Sequence, residues 1–245
     1  MKAKVTIAYD GSLFFGSQYL RKNGDLALPT VLSVFEEALR SIGVFSAIAH
    51  AGRTDRYVHA LGQVLGFSIP DFWSNADRLK TELNKKLYPK ILVRKVEIVS
   101  DDFHPRFSAK SRVYRYVIST TRPSIILSRF VTYSPDFDYR RAKMVINEFI
   151  GSRDFYYFSK RGGGEKTTIR TIHNIAIRRY KRLIIISFEG DGFLRSQIRM
   201  IMAAVLKISS GKAEIEDIAK QFAGKSTRFR EPAPAEGLYL AKVRY

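Results

Sequence analysis

The 245-residue chain has no cysteine, which excludes a disulfide framework and a thiolate metal site. Its four histidines, His50, His59, His104 and His173, are scattered at spacings that suit no metal. A His-x-Glu element is missing too, which leaves a zinc-deaminase reading unsupported. No GxSxG element or kinase-type set appears. No apolar run approaches the ~20 residues of a membrane span. The opening residues, MKAKVTIAYDG, read directly as a strand with no leader before them, so a soluble cytoplasmic protein is expected. Carboxylates are scarce: 23 Asp plus Glu stand against 42 Lys plus Arg, a formal net charge of +19.

That charge is unevenly spread. Residues 1–104 hold 14 basic and 11 acidic side chains, whereas residues 105–245 hold 28 and 12. A field concentrated on one half suits a docked polyanion, with nucleic acid the first candidate and a merely basic surface the alternative. Hydrophobic residues make up 45% of the chain, which favours a folded core over disorder.

Periodicity supplies the fold class. Val5, Ile7 and Tyr9 alternate with polar neighbours up to an Asp10-Gly11 turn. The spacing predicts helices over Thr30–Gly43 and Asn75–Leu87, strands over 45–51 and 58–69, and a strand over Ile91–Val99. A second series follows. It comprises a strand at Arg112–Ser119, a helix capped by Asp138 and stopped at Gly151, and a hairpin of Thr171–Arg178 with Leu183–Glu189. Helices over Phe193–Ser209 and Glu214–Ala223 come next, then a strand over Leu238–Arg244. Two such sets predict an α+β protein of two related α/β halves, 1–104 and 105–245, sharing an extended and mostly antiparallel sheet. The order of elements repeats; the residues do not. The loop KRGGGEK at 160–166 is polar and glycine-rich and reads as mobile. It does not lead from a strand into a helix, so it is not a phosphate cradle.

Three places hold candidate chemistry. Gly52-Arg53-Thr54-Asp55 puts a carboxylate beside a guanidinium, which favours its ionised form, and an ionised carboxylate can be a nucleophile or a base. A plain turn cap is the other reading of Asp55. Arg112-Val113-Tyr114-Arg115-Tyr116 places two tyrosines on one strand face, where a base could stack while Arg112 and Arg115 hold phosphates, or where an ordinary core could lie. In the helix from Phe193, Arg199 borders the stripe of Leu194, Ile198, Ile201, Val205 and Ile208. It is either a partly desolvated cation needing an acid or a snorkelling surface residue. Asp101-Asp102 follows a strand end and reads as a solvated turn.

Together these segments resemble the tRNA pseudouridine synthases of the TruA type. The likeness runs in order through YDGSLFFGSQ (9–18), AGRTD (51–55) with VHALGQV (58–64), and DFHPRFSAKSRVYRYVI (102–118). It continues through RTIHNI (170–175), FLRSQIRMIMAAVLKISSGK (193–212) and APAEGLYLAKVRY (233–245). The resemblance implies isomerisation of uridine to pseudouridine at positions 38–40 of the tRNA anticodon stem-loop, in a cleft between the halves. The 105–245 half would bind most of the RNA. It implies a homodimer and neither cofactor nor metal, because the base is both leaving group and returning nucleophile. Asp55 would be the catalytic carboxylate, attacking ribose C1′ or abstracting a ribose proton. Tyr114 would stack on the target base, Arg199 would pair with Asp55, Arg53 would fill the space of the extruded base, and Leu240 would form an apolar wall. The chain departs from the family pattern at Ser17, usually Trp, at Arg56-Tyr57, commonly Ala-Gly, and at Met200, commonly Asn. These departures leave room for two alternatives: RNA binding without catalysis, or the same chemistry on another RNA site.

Overall fold

Alternating side chains set the first strand. β1 (Lys2–Tyr9) buries Ala3, Val5, Ile7 and Tyr9 and leaves the residues between them half-buried. The computed structural model describes residues 1–22, 25–26, 28–162 and 166–245. Residues 163–165 of the glycine-rich loop therefore lie outside the described residues. In chain order, β1 is followed by the two-residue strands β2 (Arg21–Lys22) and β3 (Asp25–Leu26), α1 (Val31–Arg40), β4 (Ala49–His50), β5 (His59–Ser68), α2 (Ala76–Leu87) and β6 (Ile91–Val99). Then come β7 (Ser111–Ser119), β8 (Thr132–Tyr133), α3 (Tyr139–Val145), β9 (Gly151–Asp154), β10 (Ile169–Tyr180), β11 (Leu183–Gly190), α4 (Gln197–Ser209), α5 (Glu216–Phe222) and β12 (Leu238–Arg244). Mixed helices and a mostly antiparallel sheet make this an α+β fold. The chain forms two units, Met1–Lys110 with Tyr239–Tyr245, and Ser111–Leu238.

In the first unit β1 lies between β6 and β5, antiparallel to both, with Val5 opposite Leu65 on one side and Val96 on the other. The last strand returns here: β12 runs parallel to β5, Tyr239 beside His59 and Leu240 beside Ala60. Helix α1 begins at a reciprocal cap in which Thr30 Oγ1 accepts the Ser33 N–H and Ser33 Oγ accepts the Thr30 N–H. It buries Val31, Leu32, Phe35, Ala38 and Leu39, with Phe35 5.8 Å from Phe67 of β5. Asn75 caps α2, which buries Leu79, Leu83 and Leu87. The expected strand over 45–51 shrinks to Ala49–His50, which pair with Gly66 and Leu65. Phe45, 80% exposed, has no sheet face to cover it.

In the second unit β7 pairs with β11, β11 with β10 and β10 with β9, all antiparallel, and β8 runs parallel to β7. The β10–β11 hairpin turns on two residues, and Lys181 takes φ +53, as a tight hairpin turn demands. Helix α4 is buried nearly all round, from Ile198 to Ser209, so it is a core helix rather than a striped surface one. It starts at Gln197, four residues later than the apolar spacing predicts. Ser196 is left-handed (φ +59), and Gln197 Oε1 accepts the Leu194 N–H at 2.8 Å ahead of the helix. Phe149, Phe158 and Phe222 pack ring to ring in the same unit.

Candidate active site

Several backbone atoms of the Asp55 loop are bound from outside the loop. At its entry Ala51 N–H still donates to Val64 O at 2.9 Å. The Gly52 carbonyl accepts from Gln63 Nε2 at 2.6 Å and lies 2.9 Å from His50 Nδ1. Thr54 is held on three sides. Its N–H donates to Ser17 Oγ at 2.9 Å, its carbonyl accepts the Ser17 N–H at 3.0 Å, and its hydroxyl lies 2.8 Å from Tyr9 Oη. Past the carboxylate, Val58 N–H donates to Asp55 O at 3.1 Å and Tyr57 N–H to Gly11 O at 3.2 Å. Two glycines permit this approach: a Cβ on Gly11 would meet Val58 O at 2.1 Å, and one on Gly16 (φ +93) would lie 3.2 Å from Thr54 O. Ser17, Thr54 and Gln63 are buried and Asp55 is half-buried, so the residue that bears the carboxylate stands on a backbone that is fixed.

Burial favours the neutral forms of Tyr9 and His50 beside this loop. Burial pushes the Tyr9 phenol up to about 12, with hydrogen bonds to Thr54 and Gln63 opposing the rise. Burial also pulls His50 below its ordinary range; its bond to Gly52 O opposes this, and the charges of Arg53 and Arg106 add to it. A neutral His50 with its proton on Nδ1 is the form that can donate to Gly52 O. Beneath the loop, His59 Nδ1 accepts the Gly11 N–H at 3.0 Å and lies 3.3 Å from Asp10 Oδ1, with the Tyr239 ring stacked at 4.8 Å. Asp10 is occupied as a turn cap, accepting from Ser12 N–H and Oγ. Burial, then the Asp10 charge, raises the Tyr239 phenol. Arg53 is exposed on the loop, and Leu240 is fully buried beside Ala60.

The remaining candidates sit in the second unit. Tyr114 lies on β7 opposite Phe188, largely buried, with its ring edge-on to Phe193 at 5.3 Å. Arg112 shares that face, is also largely buried, and donates from Nη1 to Asp191 O at 2.7 Å. Arg115 points to the other face and is exposed. Tyr116, by contrast, is a core residue. Its Oη donates to Pro234 O at 2.8 Å and accepts from Thr132 Oγ1 at 2.8 Å, and burial raises its phenol. Arg199 stands in the first turn of α4, half-buried. Its Nε donates to Ala233 O at 2.7 Å, and its own carbonyl accepts the Ala233 N–H at 2.9 Å, so backbone groups fix the plane of the guanidinium. Among the described residues no group of three or more His, Asp and Glu could hold a metal ion, and no helix is long and apolar enough to cross a membrane.

Comparison with known proteins names the family. Residues 145–245 match the family described as tRNA pseudouridine synthase. A tRNA pseudouridine synthase A of Wolinella succinogenes is 39% identical over 239 residues, covering 98% of this chain and 92% of that protein. One of Campylobacter jejuni subsp. doylei is 39% identical over 246 residues, covering all of both chains. The chain belongs to the tRNA pseudouridine synthase A family. A Helicobacter pylori member is 36% identical over 248 residues, covering 99% of this chain and 98% of its own. Members of this family are isomerases.

Against the family pattern, the departures take on physical meaning. Where glycine is common, Tyr57 still adopts φ +66, so the loop keeps a glycine-like path without the glycine. A bulky side chain in that region costs roughly 1–2 kcal/mol relative to glycine. Ser17, in place of the usual Trp, supplies the Oγ that accepts the Thr54 N–H, a bond an indole could not make. Met200 is buried in the α4 core. Tyr9 and Gln63 complete the clamp and escape a reading of the sequence, because they act across 45 and 11 residues of chain. The one local signal was Gln63 itself, a polar residue inside the apolar run of β5.

Proposed function

We propose that this chain converts uridine to pseudouridine at positions 38–40 of the tRNA anticodon stem-loop, with Asp55 as the catalytic carboxylate. The observation that carries the reading is the Asp55 loop, whose backbone is fixed on both sides of the half-buried Asp55 by bonds to Gly11, Ser17 and Gln63. Such a group is placed for a reacting atom and costs little reorganisation during the step.

Under this reading the N-glycosidic bond breaks, the uracil turns within the site, and C5 bonds to C1′ while its proton leaves. The carboxylate acts in one of two ways. It adds to C1′ and is later displaced, or it removes a ribose proton to give a glycal-type intermediate and returns it. Arg199 is the cation that likeness to the family assigns as the carboxylate's partner, with a planar fork suited to a carboxylate. Tyr114, with its ring braced edge-on by Phe193, stacks on the uracil and helps carry off the C5 proton. Arg53 fills the stack vacated by the flipped base, a cost such enzymes must offset. Arg112, Arg115 and the other basic residues draw in the phosphates, in a cytoplasmic homodimer.

The retained left-handed turn at Tyr57 favours catalysis over the rival reading of RNA binding alone, which would need a distorted loop. The test is to map pseudouridine in tRNA from a strain lacking the gene. Loss at positions 38–40, restored by the wild-type chain and not by Asp55→Asn, is the expected result. Unchanged positions 38–40, or restoration by Asp55→Asn, would overturn it.

A further inference from the structure

Tyr57 is the residue that the loop's own architecture does not require. Its N–H is used, donating to Gly11 O, but any residue could supply that bond. Tyr57 is 42% exposed, on a backbone at φ +66 where glycine or asparagine would be at ease. Strained backbone of this kind persists where the surroundings hold it and function draws on it. Here the surroundings do hold it, through the Ser17, Thr54 and Gly11 bonds on either side of Asp55.

The ring is also oriented. The Arg56 guanidinium lies 4.7 Å from the Tyr57 ring centre and 4.3 Å from that of Phe15, which ties two aromatic faces to one exposed cation. The product is a ledge of aromatic and guanidinium surface two residues from Asp55, with a second exposed arginine, Arg53, in the same loop. Arginine planes and aromatic rings are the surfaces on which unstacked bases of single-stranded RNA settle. The positive charge suits a polyanion more than an apolar protein partner.

We propose that Tyr57, braced by Arg56 and Phe15, stacks on a base flanking the target uridine in the tRNA loop. The proposal rests on Asp55 being the reacting carboxylate, which puts the flanking nucleotide beside the ledge. It assigns this chain a contact that a glycine at position 57 could not make.

The experiment measures tritium release from carbon-5-labelled uridine against concentration of unmodified tRNA transcript, for wild type, Tyr57→Phe, Tyr57→Gly and Tyr57→Asn. Glycine and asparagine both suit the left-handed turn and both remove the ring. The expected result is a KM raised about fivefold or more for both, kcat within about twofold, and near wild-type values for Tyr57→Phe. The slope of log affinity against log salt should not change, because no phosphate contact is lost. Wild-type KM in both ring-less variants would overturn the proposal. So would a fall in kcat at constant KM, which would make Tyr57 a positioning residue, or a shallower salt slope, which would make it a phosphate contact. Equilibrium binding of the same variants in an Asp55→Asn background separates the two readings. Turnover by Asp55→Asn would sink the catalytic assignment, while the affinity loss on removing the ring stands or falls independently.

Discussion

The two candidate charged groups are anchored by opposite means. Asp55 sits in an irregular loop whose shape is imposed by buried side chains distant in sequence, Tyr9, Ser17 and Gln63. Arg199 sits at the start of a buried helix and is aimed by backbone groups, the Ala233 carbonyl and N–H. Both stand close to a strained residue, Tyr57 at φ +66 and Ser196 at φ +59. The units also differ in charge: 18 basic and 11 acidic residues in the first, 24 and 12 in the second. The carboxylate on a loop depends on specific polar side chains, whereas the arginine on a core helix is aimed by main-chain groups of the Ala233 segment, which do not change with the side chains there. Point changes should therefore damage the first site through its neighbours and the second only through the residue itself.

Asp55→Asn should have the largest effect, lowering kcat by about 10³-fold or more with the fold intact. Arg199→Ala should follow, at about 10²-fold in kcat/KM, and Arg199→Lys should recover only part of it, since an ammonium lacks the planar fork that Ala233 orients. Thr54→Val tests the side-chain clamp. It strips the Tyr9 phenol of a buried partner and should cost about 1–3 kcal/mol, read as a lower urea midpoint, with kcat falling too. If kcat holds while the midpoint drops, the clamp serves stability alone.

A pH series sharpens the same point. His50 is held below its ordinary value by burial, so its neutral form is favoured in the folded state. That contribution is complete above the unfolded value near 6.5 and is lost as pH falls through the lower folded one. Urea midpoints at pH 7.5 and pH 5 should differ more for wild type than for His50→Gln, which cannot titrate. The smallest effect concerns stability at Tyr57. Relief of left-handed strain by Tyr57→Gly is offset by glycine's looser unfolded chain and the lost Arg56 contact, so thermal midpoints should agree within about 2 °C.

Much of this was legible in the residues. The α+β class, the order of long strands and helices, and the Asp55, Tyr114 and Arg199 segments could be read from periodicity and from likeness to the family. What could not be read depends on separations that periodicity does not span. The pairing of β12 with β5 joins residues 59–60 to 239–240, so a division at 104/105 has no means of placing the last strand with the first unit. The late start of α4 follows from a left-handed Ser196, which the apolar spacing of Leu194 and Ile198 conceals. Tyr116 shares Tyr114's face yet is spent in the core, because Thr132 and Pro234 reach its hydroxyl.

That the Asp55 carboxylate serves chemistry rather than tRNA affinity is a measurable property of the chain. It is tested most directly by measuring equilibrium tRNA binding and tritium release on the same preparations of wild type and Asp55→Asn. Binding should be equal, with release by the wild type only. Release by Asp55→Asn at a rate near that of wild type, or a loss of release that tracks a loss of binding, would contradict it.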